Sequence, residues 1–286
     1  MTEINIPVSI AGPGSQPAEI DGAELDILQM PSGMETYDAP LLPEPEEVAN
    51  LDAGINVLHS LLAELQSYRV GQPTAKLDLQ GLDKDNRELV DQALGEGEVS
   101  IVFTADEQIR IQESVLAGVW RVRVLDEDKT IGGDFIEVAA IPALVRKMTF
   151  AHAADVVDDS VDVLPEGVLN APALLAEINE KVDSYISGAQ AHVINLTLLP
   201  QTEQDLLFLA DRLGVGAVQI LSRGYGNCRV SSTATKNVWW VQYYNSQDKN
   251  ILNSLEITGV PNVACAAQED IDDSAQRLDE ILEIYR

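Results

Sequence analysis

The sequence predicts an α+β fold built as a tandem duplication: each copy is a lobe with a mainly antiparallel sheet covered by helices. An acidic N-terminal arm precedes the copies and a helix closes the chain. Three observations carry this. Sliding the chain by 119 residues aligns 94–142 with 213–261 without a gap, and eleven of the 49 pairs are identical, Trp120/Trp239, Gly95/Gly214, Gly97/Gly216 and Arg110/Arg229 among them. Upstream the spacing is 117, matching Ser67-Tyr68-Arg69-Val70-Gly71 to Ser184-Tyr185-Ile186-Ser187-Gly188. Both copies also run through the same order of periodicities. A repeat near 120 residues is the length of a small domain and too long for a solenoid unit.

Residues 1–45 hold seven of the chain's thirteen prolines, with glycines between them and little periodicity, and are expected to form an extended acidic arm. Lobes follow at 46–155 and 156–286, opened by Leu42-Pro43-Glu44 and Leu164-Pro165-Glu166. Val48, Leu51, Ile55, Leu58, Leu62 and Leu65 step by three and four, which places them on one helical face; Leu174, Leu175, Ile178, Val182 and Ile186 answer in the second copy. A strand (76–79, 193–196) leads to a helix starting near Asp83 or Pro200 and stopping at Gly95 or Gly214, as a C-terminal cap requires. Strands are then expected at 99–103, 109–115, 119–125 and 135–141, with counterparts at 218–221, 228–233, 238–244 and 255–260. Gly224-Tyr225-Gly226 marks a turn between two of them. Meander order after one early helix favours an antiparallel sheet with helices on one face. A last amphipathic helix begins near Glu269.

The 286 residues carry 47 Asp and Glu against 18 Lys and Arg, a formal charge of −29. Nucleic-acid backbone and anionic membrane would both be repelled, whereas a basic partner suits such a surface; a solubility adaptation is the alternative. Residues 1–68 contain 12 acidic side chains and no Lys or Arg, so the early positive charge of a leader is missing. No run is apolar enough to span a bilayer, and a cytoplasmic protein without membrane insertion is expected. Cys228 and Cys265 are too far apart for a Cys-x-x-Cys clamp, and a structural disulfide is not expected in a reducing compartment.

No catalytic, cofactor or metal residues are assigned. Gly95-Glu96-Gly97-Glu98 follows a helix and precedes a strand, the reverse of a phosphate cradle. The second copy keeps both glycines and replaces the glutamates, so the glycines are structural and Glu96 and Glu98 are free to bind a partner. His59, His152 and His192 share no ligand spacing, and Asp155, Asp158, Asp159 and Asp162 lack the Gly and Glu of a calcium loop. In 119–125, Trp120, Val122 and Val124 alternate with Arg121 and Arg123, which should face water. The copy puts Trp240, Gln242 and Tyr244 at the outward positions, a partner site or a contact between lobes. Candidate partner-binding residues are therefore Trp240, Gln242, Tyr244, Glu96, Glu98, Arg121 and Arg123.

Several segments resemble the HupH/HyaF family of hydrogenase expression/formation proteins: Gly12-Pro13-Gly14-Ser15-Gln16-Pro17 and Met30-Pro31-Ser32-Gly33-Met34 in the arm, Leu94-Gly95-Glu96-Gly97-Glu98-Val99 and Gly118-Val119-Trp120-Arg121-Val122 in the first copy, and Ile194-Asn195-Leu196-Thr197, Val238-Trp239 and Asp272-Asp273-Ser274-Ala275-Gln276-Arg277-Leu278 in the second. The resemblance implies a non-catalytic assembly chaperone for membrane-bound [NiFe] uptake hydrogenase, acting on the iron–sulfur small subunit or its precursor before export, beside other maturation factors. It carries over no catalytic residue. A carboxylate-based or divalent-metal-dependent enzyme is the alternative, and electron or cluster transfer a third reading.

Overall fold

The computed structural model describes residues 43–46, 48, 50–73, 76–103, 109–126, 131–160, 163–223 and 227–285. The arm up to residue 42 and the Gly224-Tyr225-Gly226 turn lie outside the described residues. The first half runs α1 (Asp52–Ser67), β1 (Lys76–Asp78), α2 (Lys84–Leu94), β2 (Val99–Phe103), β3 (Ile109–Glu113), β4 (Val119–Leu125), β5 (Ile131–Val138) and a short α3 (Ala143–Met148). The second repeats it as α4 (Ala171–Asp183), β6 (His192–Asn195), α5 (Glu203–Leu213), β7 (Val218–Ser222), β8 (Asn227–Ser232), β9 (Val238–Tyr244) and β10 (Asn250–Ile257), then a 3-10 turn (Asn262–Ala264) and α6 (Gln268–Glu283). Local chemistry sets the helix ends as expected. Asp83 caps α2 by accepting the Asn86 N–H at 2.9 Å, and Thr202 with Asp205 forms a reciprocal capping box on α5. Gly95 and Gly214 follow these helices at φ of 54° and 62°, the left-handed region a glycine enters without steric cost.

The ten strands form one antiparallel sheet in the order β1-β5-β4-β3-β2-β7-β8-β9-β10-β6. The order is unchanged when β1–β5 are exchanged with β6–β10. At the join β2 lies antiparallel to β7, and Ile101 stands opposite Ile220, its counterpart at the 119 spacing. A strand paired with its own equivalent in this way is the isologous arrangement of a two-fold contact. Two separate sheets would each have left an unpaired edge at β2 or β7, and the join satisfies both.

The sheet has two differently covered faces. On one, α1, α2 and α6 close a core with Val119, Ile136 and Val138, while α4 and α5 close another with Val238, Leu255 and Ile257. On the other, Trp120, Val122, Ile101, Ile220, Trp239 and Val241 form a central core beneath Val145 of α3, with Ala264 and Phe150. Helices thus occupy both faces: Pro142 turns the chain onto the far side, where the buried Glu137 carboxylate accepts the Ala143 N–H at the start of α3 at 2.9 Å. The halves are also strapped together. Past α3, Ala154 exchanges backbone hydrogen bonds with Ala234 and Lys236, both at 2.8 Å, and Val157 enters the core under α4. In return α6, from the end of the chain, lays Ile271, Leu278 and Leu282 into the first half's core.

Candidate interaction site

Between α1, α2 and α6 on one side and α4 and α5 on the other, the middle of the sheet face they share is lined mostly by polar side chains. Strand alternation decides which residues stand there. One row crosses the strands as Asp134, Arg123, Arg110, Val102, Gln219, Ser231 and Trp240; the next as Ile136, Arg121, Gln112, Ser100, Leu221, Arg229, Gln242 and Asn253. Five of the seven expected partner-binding residues, Arg121, Arg123, Trp240, Gln242 and Tyr244, therefore share one sheet face, two in the first half and three in the second. Glu96 and Glu98 do not join them. They are exposed in the connection from α2 to β2, where the Glu98 carbonyl accepts the Arg223 N–H at 3.1 Å.

The expectation that both arginines face water needs correcting. Arg121 is only 7% exposed, in a bidentate contact with Asp134 that includes Nη2 to Oδ2 at 2.7 Å. Its Nη1 lies 2.8 Å from Asp91 Oδ1 of α2, near enough for an ion pair although the angle is poor for a hydrogen bond. Period-two alternation identifies a face but not what covers it, and here α2 does. Arg123 remains partly exposed, 3.4 Å from the same Asp91. In the second half the counterparts of Arg121 and Asp134 are Trp240 and Asn253, and Trp240 Nε1 donates to Asn253 Oδ1. One lobe thus spans these two strands with a buried ion pair, the other with a neutral hydrogen bond. Trp240 also packs on the core under α4 and α5, which contains Phe208, so its apolar part serves its own half.

Arg110 and Arg229, a pair at the 119 spacing, flank the centre of the strip. Arg110 is exposed; Arg229 is buried, its guanidinium 5.6 Å from the Tyr244 ring centre. Beside them Gln219 Nε2 and Ser231 Oγ are buried with no hydrogen-bond partner among the described residues. These four were missed as site residues. The available signal was that, in the gap-free alignment of 94–142 with 213–261, Arg110/Arg229 and Glu137/Glu256 are the two charged pairs that are identical.

Away from the strip, Gly97 and Gly216 have the structural role expected of them: a Cβ there would strike the backbone of Ser114 or Thr233, positions again 119 apart. Burial pushes the Glu113 carboxyl up to about 7; the Gly118 N–H opposes this, and nearby Glu98 and Asp270 add to it. The thiols are free, Cys228 pushed up to about 12 and Cys265 to about 11 by burial, which leaves little thiolate at neutral pH. No group of three or more potential metal ligands occurs among the described residues, and no described helix is long and apolar enough to cross a membrane.

The fold is a single ten-stranded antiparallel sheet with helices on both faces and a polar and aromatic strip along its middle. The comparisons supply the family. The model of the HupH hydrogenase expression protein C-terminal conserved region matches twice, at residues 51–166 and 168–285, and this chain belongs to that family. It is 48% identical over 282 residues to the hydrogenase expression/formation protein HoxQ of Cupriavidus necator, covering 99% of this chain and 98% of that one. Over 286 residues it is 45% identical to HupH of Rhodobacter capsulatus, covering all of both chains, and over 279 residues 34% identical to the hydrogenase-1 operon protein HyaF of Escherichia coli, covering 95% and 94%. A solved structure of the HupH protein from Thiobacillus denitrificans matches 40% of this chain and 93% of its own, at 31% identity and a TM-score of 0.36.

Proposed function

We propose that this chain is a non-catalytic accessory protein in hydrogenase maturation, and that it holds the iron–sulfur small subunit of a membrane-bound [NiFe] uptake hydrogenase, or its precursor, in the cytoplasm before export. The observation that carries the reading is whole-chain similarity to relatives named as hydrogenase expression and formation proteins. The surface supports it: a charge of −29 attracts a basic client, and half-exposed Trp240 and Tyr244 offer the aromatic anchors on which binding energy concentrates. We read the two halves as copies of one unit, because they share strand order and each is matched by the same family model.

The test is co-purification of the full chain from cells making the hydrogenase. Recovery of the small-subunit precursor in a stoichiometric complex is expected. Recovery of the large subunit alone would refute the client assignment, and stoichiometric metal or an iron–sulfur spectrum in the purified chain would refute the accessory role.

A further inference from the structure

Because the halves share one fold, each serves as a reference for what the other's surface needs. Of the fourteen large apolar side chains exposed among the described residues, two, Val70 and Ile131, lie in the first half and twelve between Val156 and Ile284. The first-half positions left undescribed between 74 and 130 hold no large apolar residue, so they do not create the imbalance. Matched positions make the same point: exposed Leu169 and Leu207 stand where the first half has exposed Asp52 and Glu88. The fold is built equally well with charge there, so folding does not account for the leucines.

The leucines are displayed from two loops held side by side. Thr202 Oγ1 donates to the Gly167 carbonyl at 2.8 Å, Asn170 Nδ2 to the Pro200 carbonyl at 2.6 Å, and Asp205 Oδ1 accepts the N–H groups of Leu169, Asn170 and Ala171. These bonds fix the backbone from which Leu169 and Leu198 project, 70% and 80% exposed, and Leu164 and Leu199 are exposed on the same two loops. The surroundings are acidic: residues 155–213 contain eleven Asp and Glu against Lys181 and Arg212, of which Arg212 is paired with Asp158.

We propose that loops 163–170 and 197–202 form a docking surface for an apolar segment of a partner protein that carries Lys or Arg beside its apolar run. Apolar contact supplies the lifetime and the acidic surround selects the flanks. A second copy of this chain is the poorer occupant, because it brings a charge of −29 against the same acidic field. The inference is independent of which hydrogenase component is the client, so its failure leaves the accessory reading standing.

The experiment uses the full chain and a fluorescein-labelled peptide of about twelve leucines and alanines with two lysines at each end, followed by fluorescence anisotropy. Leu169→Asp with Leu198→Asp should weaken binding about tenfold or more while circular dichroism and melting temperature stay unchanged, and Ile131→Asn, a first-half control, should leave it intact. The same peptide with glutamates in place of lysines should bind about tenfold more weakly. Equal binding by the double variant, or equal binding of the two peptides, overturns the proposal. So does a concentration-dependent dimer of the unmodified chain in sedimentation that the double variant abolishes, since the surface would then belong to a second copy.

Discussion

Trp120 and Trp239, 119 residues apart, make the same bond: each indole Nε1 donates to the carbonyl nineteen residues further on, Ala139 at 2.8 Å and Thr258 at 3.2 Å. Both side chains are fully buried in the central core, Trp239 with its ring edge-on to Phe150 at 5.3 Å. Trp120→Ala and Trp239→Ala should each cost about 3–5 kcal/mol in urea unfolding, because each leaves a large cavity and an orphaned carbonyl. The two losses should be felt by the whole molecule in a single transition, since α6 and the 150–157 segment each pack on the opposite half. A biphasic transition in either variant would show that the halves unfold separately.

Asn86 and Asp205 are a second matched pair, each fastening the start of the preceding helix. Asn86 Oδ1 accepts the Gly54 N–H at 2.7 Å, and Asp205 Oδ1 accepts that of Ala171 at 2.9 Å. Burial pushes the Asp205 carboxyl up, but N–H donors from Ala171, Thr202, Leu169 and Asn170 outweigh it and hold it below the usual range. A depressed carboxylate contributes stability above its unfolded value of about 3.9, lost as pH falls through the lower native value. Asp205→Asn keeps an acceptor and removes the charge, so it should cost about 1–2 kcal/mol at pH 7 and progressively less below pH 4. A cost that persists undiminished at pH 3 would show that charge is not what matters.

Glu113 acts in the opposite sense. Its native value is about 7, so between about pH 4.5 and 7 the folded state keeps a proton that the unfolded state releases. Stability should therefore fall as pH rises through that window, by up to about 3 kcal/mol, and level off above it. Glu113→Gln, neutral throughout, should remove this slope while leaving the Gly118 N–H an acceptor. An unchanged pH profile of unfolding in that variant would assign the slope to other groups.

Arg121→Ala would leave Asp134, 1% exposed, as a buried carboxylate stripped of its bidentate partner, and should cost about 3–5 kcal/mol. The second half already joins the same two strands without charge, through Trp240 and Asn253. Arg121→Met combined with Asp134→Leu should accordingly recover most of the loss, which a double-mutant cycle by thermal unfolding would measure.

Much of this architecture was legible from residues 94–142 and 213–261, because a pattern that recurs along the chain shows which positions the fold constrains. The caps at Asp83 and Gly95, the alternation at Trp120 and Val122, and the close-packed Gly97 and Gly216 are all local chemistry. The β2–β7 join was not legible: Ile101 and Ile220 meet through a symmetric pairing that no short-range pattern announces. Nor was the burial of Arg121, which depends on where Asp91 arrives once α2 has packed. The candidate strip was half visible, since alternation found Trp240, Gln242 and Tyr244 but could not show that Arg110 and Arg229 join them across four strands.

The strip's own contribution to binding can be separated by kinetics, using the partner recovered with the full chain. Trp240 is half-buried and Tyr244 stands on the same face beneath the Arg229 guanidinium. If they anchor the partner, Trp240→Phe and Tyr244→Ser should each speed dissociation, by about 1–3 kcal/mol of lost affinity, with little effect on the rate of association. Phe is used at position 240 because the ring also fills the core under α5, and Ala there would confound binding with folding. Arg110→Glu tests the charge of the partner instead. It is exposed, makes no ion pair among the described residues, and its reversal replaces a positive charge with a negative one at the centre of the strip. A basic partner should then associate faster, and the more so at low salt. Slower association on reversal would mean that the segment docking on the strip is acidic, and that the chain's overall charge acts elsewhere on the client.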